Sequence, residues 1–305
     1  MLSTELAGVK LKSPTVLASG ILGVTGASLA AVAKAGAGAV TSKSISLQGR
    51  KGHPTPVIAT YSQGMVNAVG LSNAGVDETL AEIEFAVKNA GAPVIASIFA
   101  STITEFGKVA GAVSQANPDI IEVNISCPNV EDEFGRPFAC DPGIAAVVTK
   151  KVKKSTNIPI FVKLSPNVPN IAPIAKAVQN EGADGITAVN TVGPGMVINI
   201  EAAAPVLTNK VGGVSGPAIK PIAVKCVYEA YKATGLPIIG TGGVTTGRDA
   251  VEMIMAGASA AGIGTGVYYR GPEIFSKVSE EIQEFMDKEG YKSIDEMRGV
   301  AHEER

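Results

Sequence analysis

The residues able to do chemistry sit in a few short stretches. "NISCPN", residues 124–129, places Cys127 where an apolar run ends, beside Pro128 and between Asn124 and Asn129. A free cysteine is most often a small buried hydrophobe. This one opens a turn-rich loop, "CPNVEDEFGRPFACDPG", which points its thiol at a site instead. With an ordinary pKa of about 8.5, a thiol needs only a modest electropositive bias to act as a base near neutrality. Lys43 and Lys163 also close apolar runs. A buried ammonium is costly unless it meets an anion or lines a polar cavity, and snorkelling to a rim is the alternative. Asn67, Asn124, Asn129 and Asn190 carry paired donors and acceptors suited to a planar amide or imide ligand, although asparagine is also a common turn former.

Two glycine-rich stretches, "IIGTGGVTTGRDA" and "AGIGTGV", follow the last two apolar runs. Backbone amides freed by Gly242, Gly243 and Gly264, with Thr265 beside them, form a phosphate cradle of the kind built after the seventh and eighth strands of a barrel. A third stretch, "GGVSGP" at 212–217, either closes over the same ligand or only starts a helix through Pro217.

These residues need elements to hold them. Eight short runs rich in Val, Ile and Ala recur, at 15–19, 38–42, 93–98, 119–125, 158–164, 185–190, 236–240 and 260–265. Helical periodicity fills most of the gaps, as in "DETLAEIEFAVKNAG". The joints "KAGAGAV", "NAGAPVI", "NEGADGI" and "MAGASAAGI" each end a helix on a capping glycine and enter a strand. Near-continuous apolar strands alternating with helices give a parallel sheet covered by helices. Eight such units predict an α/β fold, a (β/α)8 TIM barrel, with site residues at the C-terminal ends of its strands. The extra length falls at 44–92 and 191–235 as insertions, and "STELAGVKLKS" forms an N-terminal hairpin that closes the barrel bottom. A doubly wound open sheet is the competing architecture, but "SGILGVTG" does not match the nucleotide fingerprint expected after its first strand.

Composition excludes several classes. A net charge of −2 provides no basic field for nucleic acid or an anionic membrane. Three dispersed cysteines, Cys127, Cys140 and Cys226, match no zinc or iron–sulfur spacing, and their odd number argues against a disulfide framework, so no metal site and a reducing cytoplasm are expected. The opening "MLSTELAGVKLKSP" has no apolar signal core, and no apolar run approaches a membrane span. The expectation is a soluble, unprocessed protein.

Taken together, "TSKSIS", "MVNAVGLSNAGVDE", "NISCPN", "FVKLSPNV", "AVNT", "GGVSGPAIKP", "IIGTGG" and "GIGTG" resemble the class 1 dihydroorotate dehydrogenases, in collinear order from about residue 2 to about residue 297. The opening and "NAVGLSNAGV" look more like subclass 1B than 1A. The resemblance implies one FMN-binding barrel domain over 1–305 that oxidises dihydroorotate to orotate in pyrimidine (UMP) biosynthesis. It implies that Cys127 removes the C5 proton and that N5 of FMN accepts the C6 hydride. Lys43 would lie between flavin and substrate carboxylate. Asn67, Asn124, Asn129, Asn190 and Thr191 would hold the pyrimidine, assisted by the backbone near Gly70 and Leu71. Lys163 would stabilise negative charge on the reduced flavin. Asn124 would also contact the flavin, as would Ser19, Gly20 and Ser44. Gly216, Gly242, Gly243, Gly264 and Thr265 would hold its phosphate. It further implies a homodimer and a second subunit with FAD and a [2Fe-2S] cluster that passes electrons to NAD; this chain's cysteines cannot bind that cluster.

The loop from Cys127 to about Asp141 is expected to be flexible without ligand. Cys140, and Cys226 in a predicted helix, are read as structural or incidental. "KKVKK" at 150–154 is read as the solvated end of a helix. "YYRGPE", His53 and His302 receive no role. Two other functions compete: a dihydropyrimidine dehydrogenase-type barrel, whose comparable motif has "PH" after the cysteine, and a non-catalytic flavin- or phosphate-binding barrel.

Overall fold

A strand buried on both faces must be largely apolar, and the eight runs meet that demand apart from a few buried polar residues such as Ser97, Glu122 and Lys163. In the computed structural model, which describes residues 2–126 and 138–303, they form β1 (Thr15–Leu17), β2 (Ala39–Thr41), β3 (Val94–Ile98), β4 (Ile120–Asn124), β5 (Ile160–Leu164), β6 (Gly185–Ala188), β7 (Ile238–Thr241) and β8 (Ala260–Ile263). Each pairs in parallel with the next, and β8 returns to β1 through Ala261 opposite Thr15. The sheet is closed. That removes the open-sheet alternative and both exposed edges.

The helices follow the expected periodicity: α1 (Gly26–Lys34), α2 (Val76–Asn89), α3 (Ile103–Val113), α4 (Pro142–Lys153), α5 (Ala172–Asn180), α6 (Lys220–Thr234), α7 (Gly247–Met255), the short α8 (Gly266–Arg270) and α9 (Ile274–Glu289). Side-chain caps start several of them. Thr25 accepts from Ser28 N, Thr102 from Glu105 N and Asp141 from Gly143 N, with Pro142 at the first position of α4. The joint glycines Gly36, Gly91, Gly182 and Gly257 all adopt positive φ, as capping requires. Among the described residues no helix is long and apolar enough to cross a membrane.

Two cores result. Ile121 and Val123 pack outward among the helices, in the larger cluster. Inside the barrel, Leu6 and Leu11 of the hairpin Thr4–Leu6/Val9–Leu11 pack against Val16, Ala39, Ile95, Ile120 and Phe161, and so close the bottom as the sequence predicts. The insertions also fall where expected, and they meet. Gly212–Ser215, from the segment between β6 and β7, pairs antiparallel with Gly64–Asn67, from the segment between β2 and β3. With Ile58–Tyr61 and Val192–Gly195 they make a four-stranded sheet. In "GGVSGP" the first residues are a strand of this sheet, and Pro217 begins the 3-10 turn that leads into α6, as expected for a helix start.

The loop after β7 is braced from outside the barrel. Thr246 caps α7 in a capping box with Asp249, which also accepts from Thr245 N and Thr245 Oγ1 and pairs with Lys220. Burial raises the carboxyl pKa of Asp249. The hydrogen bonds from Lys220, Thr245 and Thr246 outweigh it and hold the group below the ordinary range. Arg270, from the unassigned "YYRGPE", donates to Thr245 O and pairs with Glu281.

Gly185→Ala would drive a methyl into the fully buried Phe161 ring; it is expected to cost about 1–3 kcal/mol in thermal or denaturant unfolding. Gly111→Ala in α3 meets only ordinary contact and is expected to be neutral or stabilising by up to about 1 kcal/mol. Because the Asp249 pKa is depressed on folding, its contribution is present above the unfolded value and vanishes as pH falls through the folded one. Asp249→Asn is therefore expected to cost about 1 kcal/mol near neutrality. It should also flatten the loss of stability below about pH 4, as read from unfolding curves across pH.

Candidate active site

Strand pairing brings the polar strand ends to one level. Asn124 on β4 stands opposite Lys163 on β5, and Lys163 opposite Thr187 on β6. Above them opens a cavity of about 440 Å³, within the range of small-molecule sites. All the described residues predicted for the site line it: Ser19, Gly20, Lys43, Ser44, Asn67, Gly70, Leu71, Asn124, Lys163, Asn190, Thr191, Gly216, Gly242, Gly243, Gly264 and Thr265. Cys127 and Asn129 lie outside the described residues, as does most of the loop whose mobility the sequence predicts. Among the described residues the lining contains two lysines and no carboxylate, so the cavity favours an anionic ligand.

A connected set of side chains forms the floor. Lys163 Nζ is 3.4 Å from Ser19 Oγ and 3.7 Å from Glu122 Oε1. Ser97 Oγ donates to Glu122 Oε1 at 2.9 Å, and Ser44 Oγ lies 2.9 Å from Ser97 Oγ and 3.5 Å from Ser19 Oγ. Asn124 Nδ2 donates to Ser44 Oγ at 3.3 Å, while its Oδ1 accepts from Ser126 Oγ at 2.6 Å. Asn190 Nδ2 donates to Ser126 Oγ at 2.6 Å, and its Oδ1 accepts from Thr191 N at 2.8 Å. Lys163 reaches a carboxylate in the barrel interior; it does not snorkel to a rim. Its side chain is 5% exposed and that of Glu122 3%.

The walls come from the insertions. Asn67 Nδ2 donates to Gly213 O at 3.4 Å, tying the two inserted segments together. Gly70 and Leu71 turn through consecutive left-handed conformations, and Asn73 holds that turn by donating to Leu71 O and accepting from Ser46 N. Asn167 donates to Thr191 O and accepts from Gly193 N. At the far end Thr265 Oγ1 donates to Ser215 Oγ at 2.8 Å. Gly242 and Gly243, at φ 137° and 77°, press against Ala223 and Lys220 with no room for a side chain. Gly264 differs. Its φ is not positive, and an added Cβ would meet only Ala18 at 3.6 Å and Ile21 at 3.9 Å. Among the described residues nothing requires glycine there, and its missing side chain leaves space for a ligand at the expected cradle.

Sequence reasoning missed Glu122, Ser97, Ser126, Asn73, Asn167 and Ser215. A carboxylate inside the apolar run "DIIEVNI" was the available signal for Glu122. Outside the site, Cys140 is exposed, and Cys226 is buried in α6, where burial pushes its thiol up to about 11; neither is an activated nucleophile. His53 Nδ1 contacts Ala68 O at 3.1 Å, and His302 stacks on Tyr228 at 3.8 Å. Among the described residues no group of three His, Cys, Asp or Glu could hold a metal ion.

The sequence matches the family model described as dihydroorotate dehydrogenase over residues 1–286. It is 48% identical over 299 residues to a Methanosarcina mazei protein, covering 98% of this chain and 94% of that one. A Methanocaldococcus jannaschii protein is 47% identical over 306 residues, with 99% of each chain covered. A Pyrococcus abyssi protein is 42% identical over 301 residues at the same coverage. All three relatives are named dihydroorotate dehydrogenase B (NAD(+)), catalytic subunit. On the strength of a family match across nearly its whole length, and of a barrel whose mouth gathers the described site residues that the resemblance implied, this chain belongs to the dihydroorotate dehydrogenase family.

Proposed function

We propose that the chain oxidises dihydroorotate to orotate, a step of pyrimidine biosynthesis, as one FMN-binding barrel domain. The observation that carries this reading is the cavity itself: amides, hydroxyls and two lysines, with no carboxylate among the described lining residues, at the mouth of a barrel. FMN, when bound, supplies the acceptor for the hydride that leaves C6. Gly216, Gly242, Gly243, Gly264 and Thr265 hold its phosphate, and Ser19, Gly20, Ser44 and Asn124 line its berth. Lys163 contributes the positive charge that favours a reduced, anionic ring.

The chain's own part is to hold the substrate and take its proton. Lys43 faces the carboxylate of dihydroorotate, a group that dihydrouracil lacks. Asn67, Asn124, Asn129, Asn190 and Thr191, with the backbone at Gly70 and Leu71, orient the planar ring. The Cys127 thiolate accepts the proton from C5, so one proton passes to sulfur and one hydride leaves from C6 as the double bond forms. The relatives' names, which read NAD(+) and catalytic subunit, support an electron path to NAD through a second subunit; we infer that this subunit carries FAD and a [2Fe-2S] cluster. The catalytic chains pair as homodimers in the cytoplasm.

The test is anaerobic and direct. The FMN-loaded protein is expected to lose its yellow absorbance on adding dihydroorotate and to keep it with dihydrouracil; the reverse result would refute the substrate assignment. Cys127→Ser is expected to slow that reduction by about 10²–10⁴-fold and to shift its pH dependence, with FMN still bound. Gly264→Ala is expected to weaken FMN binding at least about tenfold while leaving the unfolding temperature of the flavin-free protein near that of the flavin-free parent, because the added methyl meets only ordinary contact in the protein and fills ligand space.

A further inference from the structure

The hydrogen bonds of the cavity floor have a direction, and one residue outside the lining sets it. Glu122 pairs with Lys163, and an ionised carboxylate can only accept. Ser97 therefore spends its one proton on Glu122, at 2.9 Å, and must accept from Ser44. The Ser44 proton is then spent too, so Ser44 accepts from both Ser19 and Asn124 Nδ2. That fills both of its lone pairs. Ser19 in turn accepts from Lys163. The order continues outward: with its amide nitrogen committed to Ser44, Asn124 presents its oxygen to Ser126, and Ser126 accepts from Asn190.

We propose that Glu122 is a positioning residue: its buried charge fixes Lys163 and, through Ser97 and Ser44, the amide orientation of Asn124 and Asn190. It touches neither cavity nor ligand, since only Lys163, Ser19, Ser44, Asn124 and Asn190 of this set line the cavity. Five neighbouring strands contribute to the ring: Glu122 from β4, Ser97 from β3, Lys163 from β5, and Ser19 and Ser44 just beyond β1 and β2. A neutral residue at 122 leaves Lys163 without its counter-charge and lets each hydroxyl and amide reverse. The flavin and substrate roles of these residues rest on the function proposed above, whereas the direction of the bonds does not.

The test uses the FMN-loaded full chain and separates charge from relay. Reduction is titrated with dithionite, which involves no dihydroorotate. Glu122→Gln is expected to shift the flavin's two-electron equilibrium toward the reduced form about tenfold or more, which is about 30 mV, because a buried negative charge beside Lys163 has gone. Ser97→Ala keeps both charges and removes only the relay. It is expected to leave that equilibrium unchanged and to raise KM for dihydroorotate about tenfold with a smaller effect on kcat. A purely structural role would lower stability and move neither quantity. The proposal is overturned if folded, flavin-loaded Glu122→Gln keeps the parental equilibrium, or, should that variant not fold, if Ser97→Ala keeps the parental KM. A parent enzyme that dihydroorotate fails to reduce would instead refute the substrate assignment, and the dithionite titration of Glu122→Gln would still decide the role of the charge.

Discussion

An ion in a protein interior costs several kcal/mol to desolvate, and only a well-placed partner offsets the cost. Lys163 and Glu122 therefore stabilise each other in the barrel interior, with Ser19 and Ser97 beside them. This requirement reaches back into the fold. Residues along a strand alternate sides, so Glu122 and Asn124 point inward while Ile121 and Val123 face the helices. Lys163 stands opposite Asn124 and reaches back toward Glu122. A one-residue slip between β4 and β5 would turn an ammonium or a carboxylate into the helix layer. The charge pair and the barrel register thus enforce each other.

Around this centre the molecule separates rigid duties from adaptable ones. The hairpin and Phe161 fill the lower barrel with apolar side chains. The loop after β7 is held from outside by Asp249, Lys220, Arg270 and Glu281, so its glycine amides are fixed without using any side chain inside the cavity. The lining can then present hydroxyls, amides and two ammonium groups to a ligand.

Much of this was legible in the sequence, and the reasons are specific. Lys43, Lys163, Asn124 and Asn190 end apolar runs, where a polar residue marks the rim of a barrel. Gly242, Gly243 and Gly264 stand after the two strands where phosphate cradles form. Leu6 and Leu11 alternate across a short hairpin, as a plug demands. Glu122 and Ser97 were missed because each reads as an interruption within a strand, and their significance lies in neighbours across the sheet, 25 residues apart in the chain. Asn167 and Asn73 look like ordinary turn formers until the insertions are folded around them. The pairing of Gly64–Asn67 with Gly212–Ser215 has no local signature at all, since each segment alone is only a short strand.

That pairing bears on how the molecule assembles. Asn67 and Gly213 are separated by 146 positions, and contacts between such distant segments carry a large loop-closure cost until the chain between them is ordered. The strands from β3 to β6 lie within that interval, so the upper wall of the cavity joins two segments separated by four of the eight barrel strands. A nascent chain that has not yet emerged past Ser215 carries the side chains of the cavity floor but lacks part of the upper wall, β7, β8 and the loops of Gly242, Gly243 and Gly264, and ligand capture is thereby reserved for a nearly finished protein.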